Sequence, residues 1–303
     1  MASISGAGRF APSPTSALHL GNLRTALLAW LFARATGRAF RLRIEDLDTQ
    51  RVRAAAGVAA EQQADLAALG LSFDGPVLWQ SERLDAYHAA LAGLETYPCY
   101  CTRKEIAEAS SAPHSASRPY PGTCLRLTAA RRAELTASRP PALRVRADAA
   151  VSTITDELHG EVSAVVDDFV LLRNDGTPAY NLAVVVDDLH SGIDQVVRGD
   201  DLLESAPRQA WLARQLGGTA PAYAHVPLAV NTAGQRLAKR DGAVTLADLQ
   251  PGGVSPSQVL TLLASSLGLA EPDEPVTPAR LLARFAPDRL PRQPWVVTQA
   301  DAL

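Results

Sequence analysis

Apolar residues recur at two different periods in the first half of the chain. In FRLRI (40–44), Phe40, Leu42 and Ile44 alternate with Arg41 and Arg43, the period of a strand with one apolar face. In LGNLRTALLAWLFARATG, Leu20, Leu23, Leu27, Trp30 and Leu31 fall at helical spacing, and Gly37 is placed to close the helix. The preceding segment, RFAPSPT, is short and broken by two prolines. Strand, proline-bearing turn, helix and strand together open a βαβ unit. A further helix is predicted over VAAEQQADLAALG, ending at Gly70.

The pattern changes over residues 97–165, which are rich in Ser, Pro, Arg and Ala and carry only weak strand signals such as ALRVRA and EVSAVV. This stretch reads as an insertion that splits the core. Core signals resume with FVLLRNDGTPAYNLAVVVDD, where Asn174-Asp175-Gly176 separates two apolar runs in the manner of a hairpin. QVVRGDDLLES and YAHVPLAV follow, with a helix near 206–216 between them. The tail is helical at PSQVLTLLASSLG and PARLLARFA. The division expected is a split α/β core over 1–96 and 166–241, an insertion over 97–165, and a small C-terminal helical region over 242–303.

Composition narrows the class. The chain has 303 residues, 47 % hydrophobic and 20 % charged, which suits a soluble globular protein. No apolar run approaches the roughly 20 residues needed to span a bilayer. The N-terminus lacks the basic and apolar regions of a signal peptide, so a cytoplasmic protein is expected. A net charge of −3 and a pI near 6.1 argue against coating nucleic acid by bulk charge, while leaving room for a local basic face. The three cysteines all lie between positions 99 and 124, an odd and clustered set that suits a metal better than disulfides.

Two segments carry candidate chemistry. His19-Leu20-Gly21-Asn22 opens the first helix directly after a strand and turn. Amides at a helix N-terminus favour phosphate, a glycine permits close approach, and an imidazole can donate to phosphate oxygens as charge develops. The second is Gln235–Asp241, a loop with Arg236, Lys239 and Arg240, in which Lys239 provides a point charge for a triphosphate. A histidine near a helix start is more often structural, and a basic loop is usually solvated surface. The spacing of the pair across the split core is what an adenylate-forming site needs.

GRFAPSPT…LHLGN, FRLRIEDLD, PAYNLAVVVDD, QVVRGDD and RLAKR, in that order over residues 9–241, resemble the catalytic core of the glutamyl-tRNA synthetases, a class I family with a Rossmann-like nucleotide-binding fold. His19–Asn22 matches the HIGH motif and Arg236–Arg240 the KMSKS loop. The resemblance implies an ATP site of His19, Gly21, Asn22 and Lys239. It also implies a glutamate pocket of Arg9, Ser13, Glu45, Tyr180 and Arg198, with Glu45 for the α-ammonium. The chemistry agrees, since a dicarboxylic amino acid calls for a guanidinium and an acid. Ser16 stands where the family commonly has glycine, and Ala238 where it has serine.

Three thiolates and one more donor make a closed tetrahedral zinc site. General chemistry offers His114 as the fourth ligand. The short synthetase-like glutamyl-Q tRNA(Asp) synthetases have a Cys-x-Cys…Tyr…Cys arrangement, matched here by Cys99, Cys101, Tyr120 and Cys124, which implies Tyr120. Only about 60 residues follow Asp241, too few for the anticodon-binding region of a full glutamyl-tRNA synthetase, so the resemblance is to this shorter family. It implies activation of L-glutamate with ATP and Mg²⁺, then transfer to queuosine at the wobble position of tRNA(Asp), by a cytoplasmic monomer with structural Zn²⁺. A truncated glutamyl-tRNA synthetase charging tRNA(Glu), a non-catalytic tRNA-binding remnant and a cofactor adenylyltransferase are the competing expectations.

Overall fold

The computed structural model describes residues 6–102, 104–106, 120–237 and 244–298. Lys239, Ala238 and His114 lie outside them. Twelve strands are described: β1 (Ala7–Phe10), β2 (Ala39–Ile44), β3 (Leu78–Trp79), β4 (Thr96–Cys99), β5 (Ala142–Val145), β6 (Val151–Asp156), β7 (Gly160–Val165), β8 (Val170–Leu172), β9 (Ile193–Gly199), β10 (Ala222–Val226), β11 (Ala229–Val230) and β12 (Trp295–Val296). The main sheet has the order β3-β2-β1-β9-β10-β6-β7, parallel except for the β6–β7 hairpin.

From β1 the chain winds outward through β2 and β3, then returns to the other side of β1 as β9. That reversal makes the gap between β1 and β9 a topological switch point, where the carboxyl ends of open α/β sheets take their ligands. Arg9, Arg198 and His225 all stand near those carboxyl ends, on three adjacent strands.

Helix α1 (Leu20–Ala35) covers one face of the sheet. Leu20, Leu23, Leu27 and Leu31 on it have no exposed surface, each burial contributing about 1.5–3 kcal/mol. Its packing on β1 is close: a Cβ on Gly8 would stand 2.9 Å from the Ala33 Cβ. The helix stops at Thr36, and Gly37 takes the left-handed φ of +69° expected of a residue at C′. The helices Pro256–Ser265 and Pro278–Arg284 join the same core through Val259, Leu260, Leu263 and Leu281, and Phe285 meets Phe32 edge-on at 5.0 Å. The tail is therefore packed against the half of the sheet that α1 covers.

Three sequence expectations differ from the fold. Residues 97–165 are divided between two sheets. β4 and β5 pair with β8 in a separate antiparallel sheet, while β6 and β7 extend the main sheet beyond β10. The weak signal of EVSAVV arises because β7 is an edge strand with one face in solvent. The Asn174–Gly176 turn is present, but its second arm is a single bridge, Leu172 to Pro178, followed by a helix over Tyr180–His190. An unbroken apolar run does not distinguish a buried strand from a buried helix. Finally, the polar face expected of β2 is buried at Arg43, 3 % exposed, because the Tyr180–His190 helix lays Asp187 and Asp188 against it. No helix among the described residues is long and apolar enough to cross a membrane.

Candidate active site

A cleft of about 950 Å³ opens at the carboxyl end of β1, lined by residues that include Ser13, Ser16, His19, Asn22, Gln62 and Arg236. His19 is the N-cap of α1. Its Nδ1 accepts from the amides of Gly21 at 3.1 Å and Asn22 at 3.3 Å, and the Asn22 side chain accepts from the His19 amide at 3.2 Å. The first-turn amides that would suit phosphate are thus engaged by the imidazole. Burial, reinforced by the charge of Arg236, lowers the His19 pKa to about 4. The ring is neutral, with its proton on Nε2. Gly21 is required for this cap: a Cβ there would lie 3.0 Å from both the Ala229 Cβ and the His19 Cε1.

The basic loop is anchored at both described ends beside His19. Arg236 bridges to Val230 on the β11 hairpin and donates to Asp201 at 2.6 Å, while the Val244 carbonyl accepts from the Leu20 amide at 2.9 Å. Ser16 has no left-handed backbone; outside glycine, the described residues with positive φ are Asp148, Ala149 and Asp273. The turn at Ser16 therefore does not depend on a glycine. Gln62 fastens this turn by donating to the carbonyls of Ser13 at 3.1 Å and Ser16 at 2.8 Å.

Arg9, Glu45, Tyr180 and Arg198 form one electrostatic group at the switch point. The Tyr180 hydroxyl is raised in pKa by burial, then by the Glu45 carboxylate, against the opposing charges of Arg198, Arg9 and Arg43. The residue as a whole is 42 % exposed. Burial also raises Glu45, partly offset by Arg43 and Arg9. Two residues that sequence reasoning left unassigned hold this group in place. Asp188 accepts from Arg9 Nε at 3.4 Å and from Arg43 Nη1, and Arg43 Nη2 donates to Glu45 at 3.1 Å. Burial alone would raise the Asp188 carboxyl, but Arg43 and Arg9 outweigh it and keep it ionised. The signal available was the Asp187-Asp188 pair closing an apolar helical run, opposite two arginines on a neighbouring strand.

The cysteines converge as the spacing suggested. The sulfurs of Cys99, Cys101 and Cys124 lie within 4.8 Å of one another. The Tyr120 hydroxyl is 3.5 Å from Cys99 Sγ and 3.6 Å from Cys101 Sγ, and Cys101 Sγ is 3.4 Å from Cys124 Sγ. A tetrahedron built on Zn–S bonds of 2.3 Å has edges of about 3.8 Å, so these four donors fit a small tetrahedral ion. The Arg144 guanidinium stacks 3.6 Å over the Tyr120 ring.

Comparison with known proteins agrees with this geometry. The profile of the class I tRNA synthetases (E and Q), catalytic domain, matches residues 7–280. A glutamyl-Q tRNA(Asp) synthetase of Nocardia farcinica is 61 % identical over 99 % of this chain and 96 % of its own length. The chain belongs to the glutamyl-Q tRNA(Asp) synthetase family. A Deinococcus radiodurans family member is 51 % identical over 91 % of this chain and 94 % of its own length. Among solved structures, a glutamate tRNA ligase from Elizabethkingia meningosepticum in complex with its amino acid superimposes with a TM-score of 0.81 at 27 % identity, covering 98 % of this chain and 68 % of that one. As in other family members, the motifs are read on a class I catalytic fold, and the protein is a ligase.

Proposed function

We propose that the protein activates L-glutamate with ATP to glutamyl-adenylate and transfers the glutamyl group to queuosine at the wobble position of tRNA(Asp). The observation that carries this reading is the convergence of Arg9, Arg198 and Glu45 at the switch point, held by Arg43 and Asp188, beside a cleft lined by a neutral, capped histidine. That charge pattern complements a dicarboxylic amino acid lying next to a nucleotide.

In the proposed mechanism, Arg9 and Arg198 bind the acidic groups of glutamate, Glu45 takes its ammonium, and Ser13 and Tyr180 complete the walls. The substrate carboxylate, already ionised, attacks the α-phosphate of ATP, and pyrophosphate leaves. His19 donates from Nε2 to phosphate oxygens as charge accumulates on them. Gly21 and Asn22 contribute by fixing the imidazole. Lys239, with Arg236 at the near end of the same loop, neutralises the phosphates, and Mg²⁺ carried in with ATP would supply further charge neutralisation there. A hydroxyl of the queuosine cyclopentene then attacks the adenylate carbonyl and AMP departs. The protein acts chiefly by positioning and electrostatics.

Cys99, Cys101, Tyr120 and Cys124 would hold a structural Zn²⁺, which would brace the β4–β5–β8 sheet. The protein acts in the cytoplasm as a monomer. The test is glutamate-dependent ATP–pyrophosphate exchange without tRNA. Exchange supports the reading. Exchange only when tRNA(Glu) is added indicates a truncated glutamyl-tRNA synthetase, and no exchange under either condition indicates a non-catalytic protein.

A further inference from the structure

Arg198 is 5 % exposed, and three of its five N–H groups are already engaged. Nε donates to His225 Nε2 at 3.0 Å, Nη1 to Gln209 Oε1 at 2.7 Å and Nη2 to the Leu202 carbonyl at 3.3 Å. One N–H on each terminal nitrogen remains, a fork that fits the two oxygens of a carboxylate. The direction of that fork depends on the Nε contact, because pinning Nε fixes the plane of the guanidinium.

His225 lies on β10 directly opposite Arg198 on β9 and is fully buried. Its ring stacks on Tyr223 at 5.8 Å, and the Arg198 guanidinium lies 5.7 Å from the same tyrosine ring. On the far side, His225 Nδ1 meets Asp156 Oδ2 at 2.6 Å. Asp156 closes β6, the strand added beyond β10, and also accepts from the amides of Leu158, His159 and His225. Those donors and the imidazole outweigh burial and keep its carboxyl ionised. An ionised carboxylate only accepts, so the proton of His225 is on Nδ1. Nε2 is then the nitrogen with a lone pair, the form that can accept from Arg198 Nε–H.

We propose that Asp156 and His225 are positioning residues for glutamate recognition: Asp156 fixes the tautomer of His225, and His225 aims the Arg198 guanidinium at a substrate carboxylate. This rests on Arg198 being a glutamate ligand, as proposed above. Neither residue touches substrate. Without an acceptor at Nε, a buried donor is left unpaired and the guanidinium turns to find another partner. The hairpin that carries Asp156 thereby contributes to amino-acid selection from the outer edge of the sheet.

The test is glutamate-dependent exchange at varied glutamate and at varied ATP for His225→Leu, which removes the acceptor, and His225→Gln, which supplies one with its amide oxygen. In His225→Leu the KM for glutamate rises roughly 10–100-fold, by analogy with the loss when the residues that orient metal ligands are removed, while the KM for ATP stays at the wild-type value. His225→Gln recovers most of the loss, a rescue that a purely structural role does not predict. If His225→Leu fails to fold, Asp156→Asn gives the same readout, since an amide donor at Nδ1 inverts the tautomer and the KM for glutamate rises. A folded His225→Leu with an unchanged KM for glutamate, a Gln variant no better than Leu, or an equal rise in the KM for ATP overturns the proposal. Absence of exchange in the wild-type protein overturns the underlying function instead.

Discussion

The imidazole Nδ1 of His19 accepts from the Gly21 amide at 3.1 Å, so the side chain proposed for phosphate chemistry is also the cap of the helix that follows it. The two roles are compatible because they use opposite nitrogens. The cap occupies the lone pair of Nδ1, and the proton on Nε2 is left for a phosphate oxygen.

Gly21→Ala tests this geometry. The new Cβ meets the His19 ring and the Ala229 Cβ at about the same distance, 3.0 Å, so one of them must move. A displaced imidazole lowers kcat for exchange roughly 10–100-fold, with the KM for glutamate unchanged. Steady-state exchange kinetics check it, and a wild-type kcat contradicts it.

His19 should titrate far below an ordinary histidine. Its pKa is lowered from 6.5 to about 4 by burial and then by Arg236. The folded chain therefore binds this proton more weakly than the unfolded chain. The stability that neutral His19 provides is present above pH 6.5 and is lost as pH falls from there towards 4. Histidine NMR titration, with the resonance assigned by a His19 variant, should give a midpoint near 4; a midpoint near 6.5 would mean that the ring is solvated.

Asp188 is the shared acceptor of Arg9 and Arg43. Asp188→Ala leaves two buried cations without it and is expected to cost about 3–5 kcal/mol of folding stability. Urea unfolding measures the loss. Where the variant is folded, the KM for glutamate rises because Arg9 is no longer held, whereas the KM for ATP is unaffected.

The cysteine cluster predicts one bound zinc in purified protein and its loss in Cys124→Ser. Chelation should lower the melting temperature, because a structural zinc site contributes folding free energy directly. Metal analysis alongside thermal melting checks both, and metal-free protein with an unchanged melting temperature under chelator excludes the site.

The legible parts of this protein are those with short-range signatures. The period-2 run at Phe40–Ile44, the 3.6-period helix from Leu20 and the Gly37 stop are local patterns, and each appears in the fold. The cysteine spacing likewise pointed to convergence, as the sulfur distances show. The features without a local signature depend on strands far apart in sequence. Arg43 looked like a solvated strand residue because its partner is 145 positions away, at Asp188. His225 and Asp156, 69 positions apart, meet only because β6 joins the main sheet outside β10. The helix over Tyr180–His190 was hidden by complete burial of Leu182–Val185, which removes the polar face that reveals a helical period.

The central claim is the transfer of glutamate to a modified anticodon base. Incubation with labelled glutamate, ATP and tRNA(Asp), prepared with and without queuosine, tests it most directly. The account predicts label on the queuosine-bearing tRNA alone; equal labelling of both preparations, or label on the terminal adenosine, would contradict it.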